Sequence, residues 1–442
     1  MATADWARTM LEQEARALLT RLERVQSFAL SETMVPAANL SVDAQVAIER
    51  YLMHGRRTLR QLVGGYLAWL RSPMAIHATP AEVQRRFTFV RLRFNAMLAQ
   101  FDIFADVVTQ RSERQNGVWL SGLDAVAADA LALPGYYDAP PVACYLDRGH
   151  GAAIRRARAR LPGGGENPVA VIRVPRERMV GSGIASSLVH EVGHQAAELL
   201  DLLPSLRPVL RGFWSGPPRQ QLPWRCWDRW ISEIVADFWA VGRVGVSATL
   251  GLLAVVSLPR VFVFRLDFDD PHPAPWVRVR LSCAIGKALY PDPQWDALAQ
   301  LWQSFYPLDG LDAPRRQLVA DLEASMPGFV ALLVNHRPAA LRGRSLGETL
   351  AVDARQPASL RESWRAWRGR AHIMAQASPS LVFAVIGQAR ADGRISPEAE
   401  SQLLAGLLTS WALRSTLDRS EICATQPTRH ATRTPGAVIS RS

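Results

Sequence analysis

The segment His190-Glu191-Val192-Gly193-His194 decides how the centre of this chain is interpreted. On an α-helix, residues four apart lie on one face about one turn from each other, so both imidazoles can reach one Zn²⁺ ion. Glu191 stands beside the first histidine, where it can accept a proton from a metal-bound water. Gly193 costs roughly 1 kcal/mol relative to alanine inside a helix. Its presence predicts that another element packs closely against this turn.

The flanking residues predict how far this helix extends. Residues 186–189 lead into the motif, residues 196–200 continue it, and Pro204 is expected to mark its end. The motif alone specifies only three positions, so a surface helix with two solvated histidines fits it as well. The sequence further downstream has to decide between these two interpretations.

A second helical segment, residues 224–239, carries two acidic side chains. Glu233 lies among isoleucine and valine residues, where a carboxylate is costly to bury unless its charge is compensated. Because catalytic zinc needs three protein ligands and one open position, we predict Glu233 as the third ligand. Asp237 lies one turn further on, where it can accept a hydrogen bond from a ligating histidine and orient its ring. The alternatives are a helix with two exposed acids, or ligation by Glu198, one turn after the motif.

A third feature is the histidine in Asp270-Pro271-His272-Pro273, with Arg278 six residues after it. The two prolines hold the histidine in an extended, rigid segment. A fixed histidine near a metal can stabilise the oxyanion of a tetrahedral intermediate. Arg278 can do the same or can pair with a carboxylate of the site. An ordinary proline-rich loop is the alternative.

These three motifs resemble those of the gluzincin metallopeptidases: His190-Glu191-x-x-His194, Glu233-x-x-x-Asp237 and His272-Pro273-x-x-x-x-Arg278. They are most similar to the class that contains the CAAX prenyl proteases and the heat-shock membrane proteases, over roughly residues 165–290. The resemblance implies zinc ligation by His190, His194 and Glu233, with Glu191 as general base. It also implies that Asp237 supports a ligand and that His272 and Arg278 lie near the substrate. Members of that class usually carry clear transmembrane helices around the motif, whereas this chain does not.

Composition places the chain among globular proteins and argues against nucleic-acid binding. Its 442 residues suffice for two or three domains, and 48% of them are hydrophobic while 21% are charged. The net charge of +11 is carried almost entirely by arginine, since Lys287 is the only lysine. The arginines are spread along the chain, and no zinc knuckle, RNA-binding sheet motif or basic zipper is present. An Arg-rich nucleic-acid-associated protein is therefore the least favoured alternative.

Cysteine usage and the N-terminus bear on the compartment. None of the four cysteines is spaced as C-x-x-C, so we expect neither a disulfide framework nor a structural zinc site. Residues 1–6 lack the basic region and apolar run of a signal peptide. We therefore expect a cytoplasmic protein.

One stretch, Val244 to Leu258, runs for about fifteen residues without charge. Because spanning a bilayer takes about twenty residues, a buried helix is the favoured interpretation. A re-entrant or interfacial segment is the alternative. We expect no stable membrane insertion.

The hydrophobic periodicity predicts an α+β fold that is predominantly helical, with a zincin-like catalytic core and a small β-sheet. We predict an N-terminal helical region over residues 1–115 and a zincin-like metallopeptidase domain over residues 116–345. A C-terminal helical region over residues 346–418 and a disordered tail over residues 419–442 follow.

Two strands are expected, at residues 141–146 and 168–175, separated by a glycine-rich turn at residues 161–165. The second strand runs into the motif helix. Zincin-type proteases hold substrate as an extra strand along a sheet edge near the metal, and this placement suits that mode of binding. A core strand without a role in substrate binding is the equal alternative. Asp312 and Ser396 are expected to cap helices that start with nearby prolines.

We therefore predict a cytoplasmic, bacterial-type zinc metallopeptidase with a peptide or protein substrate. Glu191 removes the proton as zinc-bound water attacks a peptide carbonyl, and then delivers it to the leaving amine. The alternative is a catalytically inactive zincin-like module whose helices bind a protein partner. The presence of Glu191 favours catalysis, because a structural zinc site needs no base.

Overall fold

The structure is a computed structural model of the chain and describes residues 2–148, 152–161, 165–176, 181–215 and 217–425. It is 72% helical with one small mixed sheet, which confirms the predicted α+β, predominantly helical fold. The residues form two large hydrophobic cores, one among the N-terminal helices and one around the motif helix.

The N-terminal region consists of five helices. The three long helices among the first four pack their apolar stripes against one another, whereas the fifth helix packs into the other core. On the first helix an apolar stripe is buried at Leu11, Ala15, Leu18 and Leu22. The helices are α1 (Ala2–Arg24), α2 (Val42–Leu70), α3 (Pro73–Ile76), α4 (Pro80–Thr109) and α5 (Arg114–Leu131).

The sheet joins the two cores. Its strands are β1 (Val142–Asp147), β2 (Ala153–Arg155) and β3 (Ala170–Pro175), in the order β1-β3-β2, with β1 parallel and β2 antiparallel to β3. Because side chains alternate across a sheet, Val171 packs into the N-terminal core while Ile172 packs into the other.

Both predicted strands are present, but the strand in front of the motif helix is not an edge. Over residues 171–173 β3 has a neighbour on each side, so the hydrogen-bonding groups of these residues are not free for a substrate. The edge of the sheet on that side is β2, which the sequence analysis did not predict. Of the predicted glycine-rich turn, residues 162–164 lie outside the described residues.

The central helices are α6 (Gly183–Leu199), α7 (Leu202–Gly212), α8 (Pro218–Val244), α9 (Val246–Val256), α10 (Arg260–Val263) and α11 (Pro275–Leu289). The expectation that Pro204 ends the motif helix is wrong. The motif helix α6 ends at Leu199 because Asp201 adopts a left-handed φ of 53°, and Pro204 lies in the first turn of α7, where no intrahelical N–H is needed.

The uncharged stretch around residues 244–258 is divided by Gly245, whose φ of 59° separates α8 from α9. The eleven residues of α9 span about 16 Å at 1.5 Å per residue, well short of a bilayer core. Most of them are buried, as the favoured interpretation predicted.

The remaining helices are α12 (Gln294–Phe305), α13 (Ala313–Asn335), α14 (Leu346–Leu350), α15 (Pro357–Trp367), α16 (Ala371–Gln376), α17 (Pro379–Ala391) and α18 (Pro397–Thr425). Asp312 caps α13 by accepting from Arg315 N at 2.8 Å, and Ser396 Oγ accepts from Ala399 N at 3.3 Å, as predicted. The boundary predicted at residue 418 is wrong, because α18 continues to Thr425. Residues 426–442 of the predicted tail lie outside the described residues.

Within the described ranges, α13 is the one helix long and apolar enough to cross a membrane by length and composition. The core helix of a soluble protein passes the same test. Leu322, Phe329 and Leu333 on α13 are fully buried in the second core.

Candidate metal centre

The site depends on the close contact between α6 and α8. A Cβ atom added at Gly193 would lie 2.8 Å from both Cα and the carbonyl oxygen of Ala236, closer than real Cβ atoms approach other atoms. The predicted close packing against this turn is therefore confirmed. It brings the histidine face of α6 against the stretch of α8 that carries Glu233.

The side chains of His190, His194 and Glu233 converge on one point. Each offers a ligand atom, and these atoms all lie within 4.8 Å of one another. His190 Nε2 lies 3.2 Å from one Glu233 oxygen, and His194 Nε2 lies 3.6 Å from the other. The two rings are 4.9 Å apart and nearly perpendicular, so their Nε2 atoms approach the carboxylate from different directions.

Glu233 is kept ionised by this arrangement. Burial raises the pKa of a carboxyl group, but hydrogen bonds from His190, His194 and His272 hold the pKa of Glu233 well below its usual range. Two imidazole nitrogens and an ionised carboxylate are a donor set that suits a divalent cation, and it matches the three-ligand pattern of catalytic zinc.

His190 is oriented by a buried carboxylate. Its Nδ1 lies 2.8 Å from Asp237 Oδ1, which directs Nε2 towards Glu233. Burial lowers the pKa of His190, yet the charge and hydrogen bond of Asp237, with a further contribution from Glu233, raise it to about 9. The carboxylates of Asp237 and Glu233 thus favour a cation bound to the His190 ring, whether it is a proton or a metal ion.

Arg278 takes the second of the two roles considered for it. Its Nε and Nη2 atoms donate to the two oxygens of Asp237 at 2.7 and 2.9 Å, in a bidentate pair whose members are nearly buried. Burial raises the pKa of Asp237, but Arg278 and His190 hold it well below its usual range. In this arrangement Arg278 positions Asp237 and, through it, His190.

His272 lies in the same cleft although it is 82 residues away from His190 in sequence. Its Nε2 is 3.2 Å from Glu233 Oε2, and its side chain is 47% exposed, so the ring borders the opening of the site. The hydrogen bond to Glu233 raises the pKa of His272, against a lowering by burial.

Asp270 contacts His272, and the sequence analysis gave it no role. One of its carboxylate oxygens accepts from the backbone N–H of His272 at 2.9 Å and lies 2.7 Å from its Nδ1. This turn, together with the prolines, fixes the ring. The signal was an aspartate two residues before the histidine, in the local pattern by which Asp accepts from its own backbone.

Glu191 is the uncommitted acid of the site. It is 8% exposed and lines the cleft, and its carboxylate accepts no hydrogen bond from the described part of the chain. Glu198, the competitor for metal ligation, instead faces solvent and pairs with Arg156 at 2.5 Å.

A cavity of about 310 Å³ adjoins His190, Glu191 and His272. Ala152, the residue before the edge strand β2, and His272 both line this cavity, so β2 and the His272 loop border the cleft. Comparisons with protein-family models, curated proteins and solved structures find no match for this chain.

Proposed function

We propose that this protein is a zinc-dependent metallopeptidase, with His190, His194 and Glu233 as the metal ligands. The observation that supports this most strongly is the convergence of these three donors, from two helices, beside Glu191, whose carboxylate accepts no hydrogen bond from the described residues. A structural site has no need of an unpaired acid at this position, whereas hydrolysis requires a base.

A bound Zn²⁺ would supply Lewis acidity and make a water molecule acidic enough to be deprotonated near neutral pH. Glu191 accepts that proton as the water attacks the peptide carbonyl, and then returns it to the leaving amine. His272 donates to the carbonyl oxygen as negative charge develops there. Asp270 and Asp237 hold the two histidine rings in place.

The substrate is a peptide or protein segment in extended form. Its place is the cleft between β2 and the His272 loop, where the edge strand has an unpaired side within the described residues. A cytoplasmic protein acting on soluble chains is the setting that we propose.

Replacing Glu191 with Gln tests the proposal, because it keeps size and packing but removes the base. The metal content and thermal stability should stay near those of the wild type, while cleavage of peptides in a lysate digest should be lost. Glu198→Gln is the matched control: it makes the same change on the same helix at an exposed position and should leave cleavage intact. If wild type and Glu191→Gln release the same peptides, the enzyme proposal fails and a protein-binding module becomes the better account.

A further inference from the structure

The cavity beside the histidines has a wall that the catalytic chemistry does not use. We propose that it holds an apolar side chain of the substrate, at one of the two residues flanking the bond to be cleaved. This proposal rests on the proposed peptidase function. The volume of the cavity, about 310 Å³, is enough for a large side chain.

The apolar wall comes from two helices. On α9 the lining residues are Ala248, Leu252 and Val255, whose spacing of four and three places them on one face. Ala240 and Val241 of α8 complete this wall. These residues of the uncharged stretch 244–258 thereby have a function besides packing in the core.

The wall is held rigidly against the metal-binding helix. A Cβ atom at Gly251 would lie 2.2 Å from Ser186 Cβ, so α9 and α6 touch at a point one turn from His190. Ala240 and Ala248 line the cavity, and their small side chains leave it open. The close contact between α9 and α6 fixes where the apolar wall lies relative to the motif helix.

The charged groups bordering the cavity have partners of their own, apart from Glu191. Asp237 is paired with Arg278, and His190 and His272 face Glu233. A charged substrate side chain would lose its hydration here, and the one unpaired charge that it could meet among the described residues is Glu191, which the proposed reaction needs as its base. An apolar side chain is instead favoured by leaving water. The cavity therefore selects residues such as leucine, methionine and phenylalanine over aspartate and lysine.

The test uses peptides that differ only at the two residues flanking the cleaved bond, with Leu, Phe, Ala, Asp or Lys at each position. At one of the two positions, kcat/KM for Leu or Phe should exceed that for Asp or Lys by at least roughly 100-fold, because one group in an apolar pocket is worth roughly 10- to 200-fold. Equal rates at both positions would overturn the pocket and leave the peptidase function standing.

Leu252→Ala and Leu253→Ala form a matched pair on α9. The two leucines are 8% and 9% exposed, but only Leu252 lines the cavity. Leu252→Ala should lower kcat/KM for the Leu peptide roughly 10- to 100-fold and shift the preference towards Phe. Leu253→Ala should keep the wild-type order of preference even where it lowers stability, and a change of order in both variants would contradict the assignment.

Binding separates this proposal from the proposed function. Calorimetry with the Glu191→Gln variant should show tighter binding of the Leu than of the Lys peptide, and the added Leu252→Ala change should abolish the difference. This result would support the pocket even if no cleavage were found. Equal binding of both peptides would overturn it, whatever the activity of the wild type.

Discussion

At the scale of single residues, the site is a series of charged and polar side chains in which each positions the next. Arg278 holds Asp237, Asp237 orients His190, and His190 with its neighbours keeps Glu233 ionised. The helical spacing of the motif let the ligand candidates be identified from sequence, because residues four apart on a helix must share a face. The role of Asp270 was not predictable in the same way, since it depends on how a loop turns back on itself.

His272 should act on the transition state without holding the metal. We expect His272→Ala to lower the turnover rate by roughly 10²–10³-fold, because a donor to the developing oxyanion is lost. Metal content should remain near that of the wild type, as measured by mass spectrometry of the purified chain. Loss of the metal together with activity would instead make His272 a ligand.

At the scale of elements, the site is positioned by the contacts between helices. Gly193 allows α6 and α8 to touch. This contact was predictable because glycine destabilises a helix relative to alanine, so its presence there indicates close packing. The short strand β2 was missed because its three residues are too few to show the alternation of apolar and polar side chains that predicts a strand. The end of α6 was misplaced because Asp201, not a proline, adopts the left-handed conformation that stops it.

Gly193→Ala should therefore destabilise the protein despite the higher helix propensity of alanine. The added methyl group would collide with the backbone of Ala236, and overpacking of this kind costs about 1–3 kcal/mol. Gly65→Ala on α2 is the matched control, since a Cβ there meets no atom within 4 Å, and it should raise stability by about 0.5–1 kcal/mol. Urea denaturation of both metal-free variants gives the comparison, and equal effects would show that the α6–α8 contact is looser than described.

The N-terminus of α6 is capped from a distant part of the chain. Glu400 of α18 is 4% exposed and accepts from Ser182 N at 3.0 Å, next to the first turn of the motif helix. A carboxylate there satisfies a free N–H and opposes the positive end of the helix dipole. Glu400→Ala should lower the free energy of unfolding by about 1–2 kcal/mol.

Glu362→Ala serves as the control for this cap, because Glu362 is exposed and makes no ion pair within the described residues. It should change stability by less than about 0.5 kcal/mol. If Glu400→Ala is as mild, the contact between α18 and α6 does not hold the motif helix in place.

At the scale of the whole molecule, the C-terminal helices share a core with α6 and α8. Leu404, Leu408 and Trp411 of α18 are buried in the same cluster as Val189 and Val192 of α6. Long-range arrangements of this kind have no local sequence signal, which is why the sequence showed helices in this region but not where they pack. The position of His272 was expected only through the family resemblance, since no periodicity connects residues so far apart.

The central claim is that His190, His194 and Glu233 hold one metal ion, and the metal content of the purified chain tests it most directly. Elemental mass spectrometry should find about one zinc per wild-type chain. The His190→Ala/His194→Ala double variant and Glu233→Ala should both lose it, while Glu198→Gln should keep it. A double variant with full zinc content, or a wild type that holds no metal after reconstitution with zinc, would contradict the account.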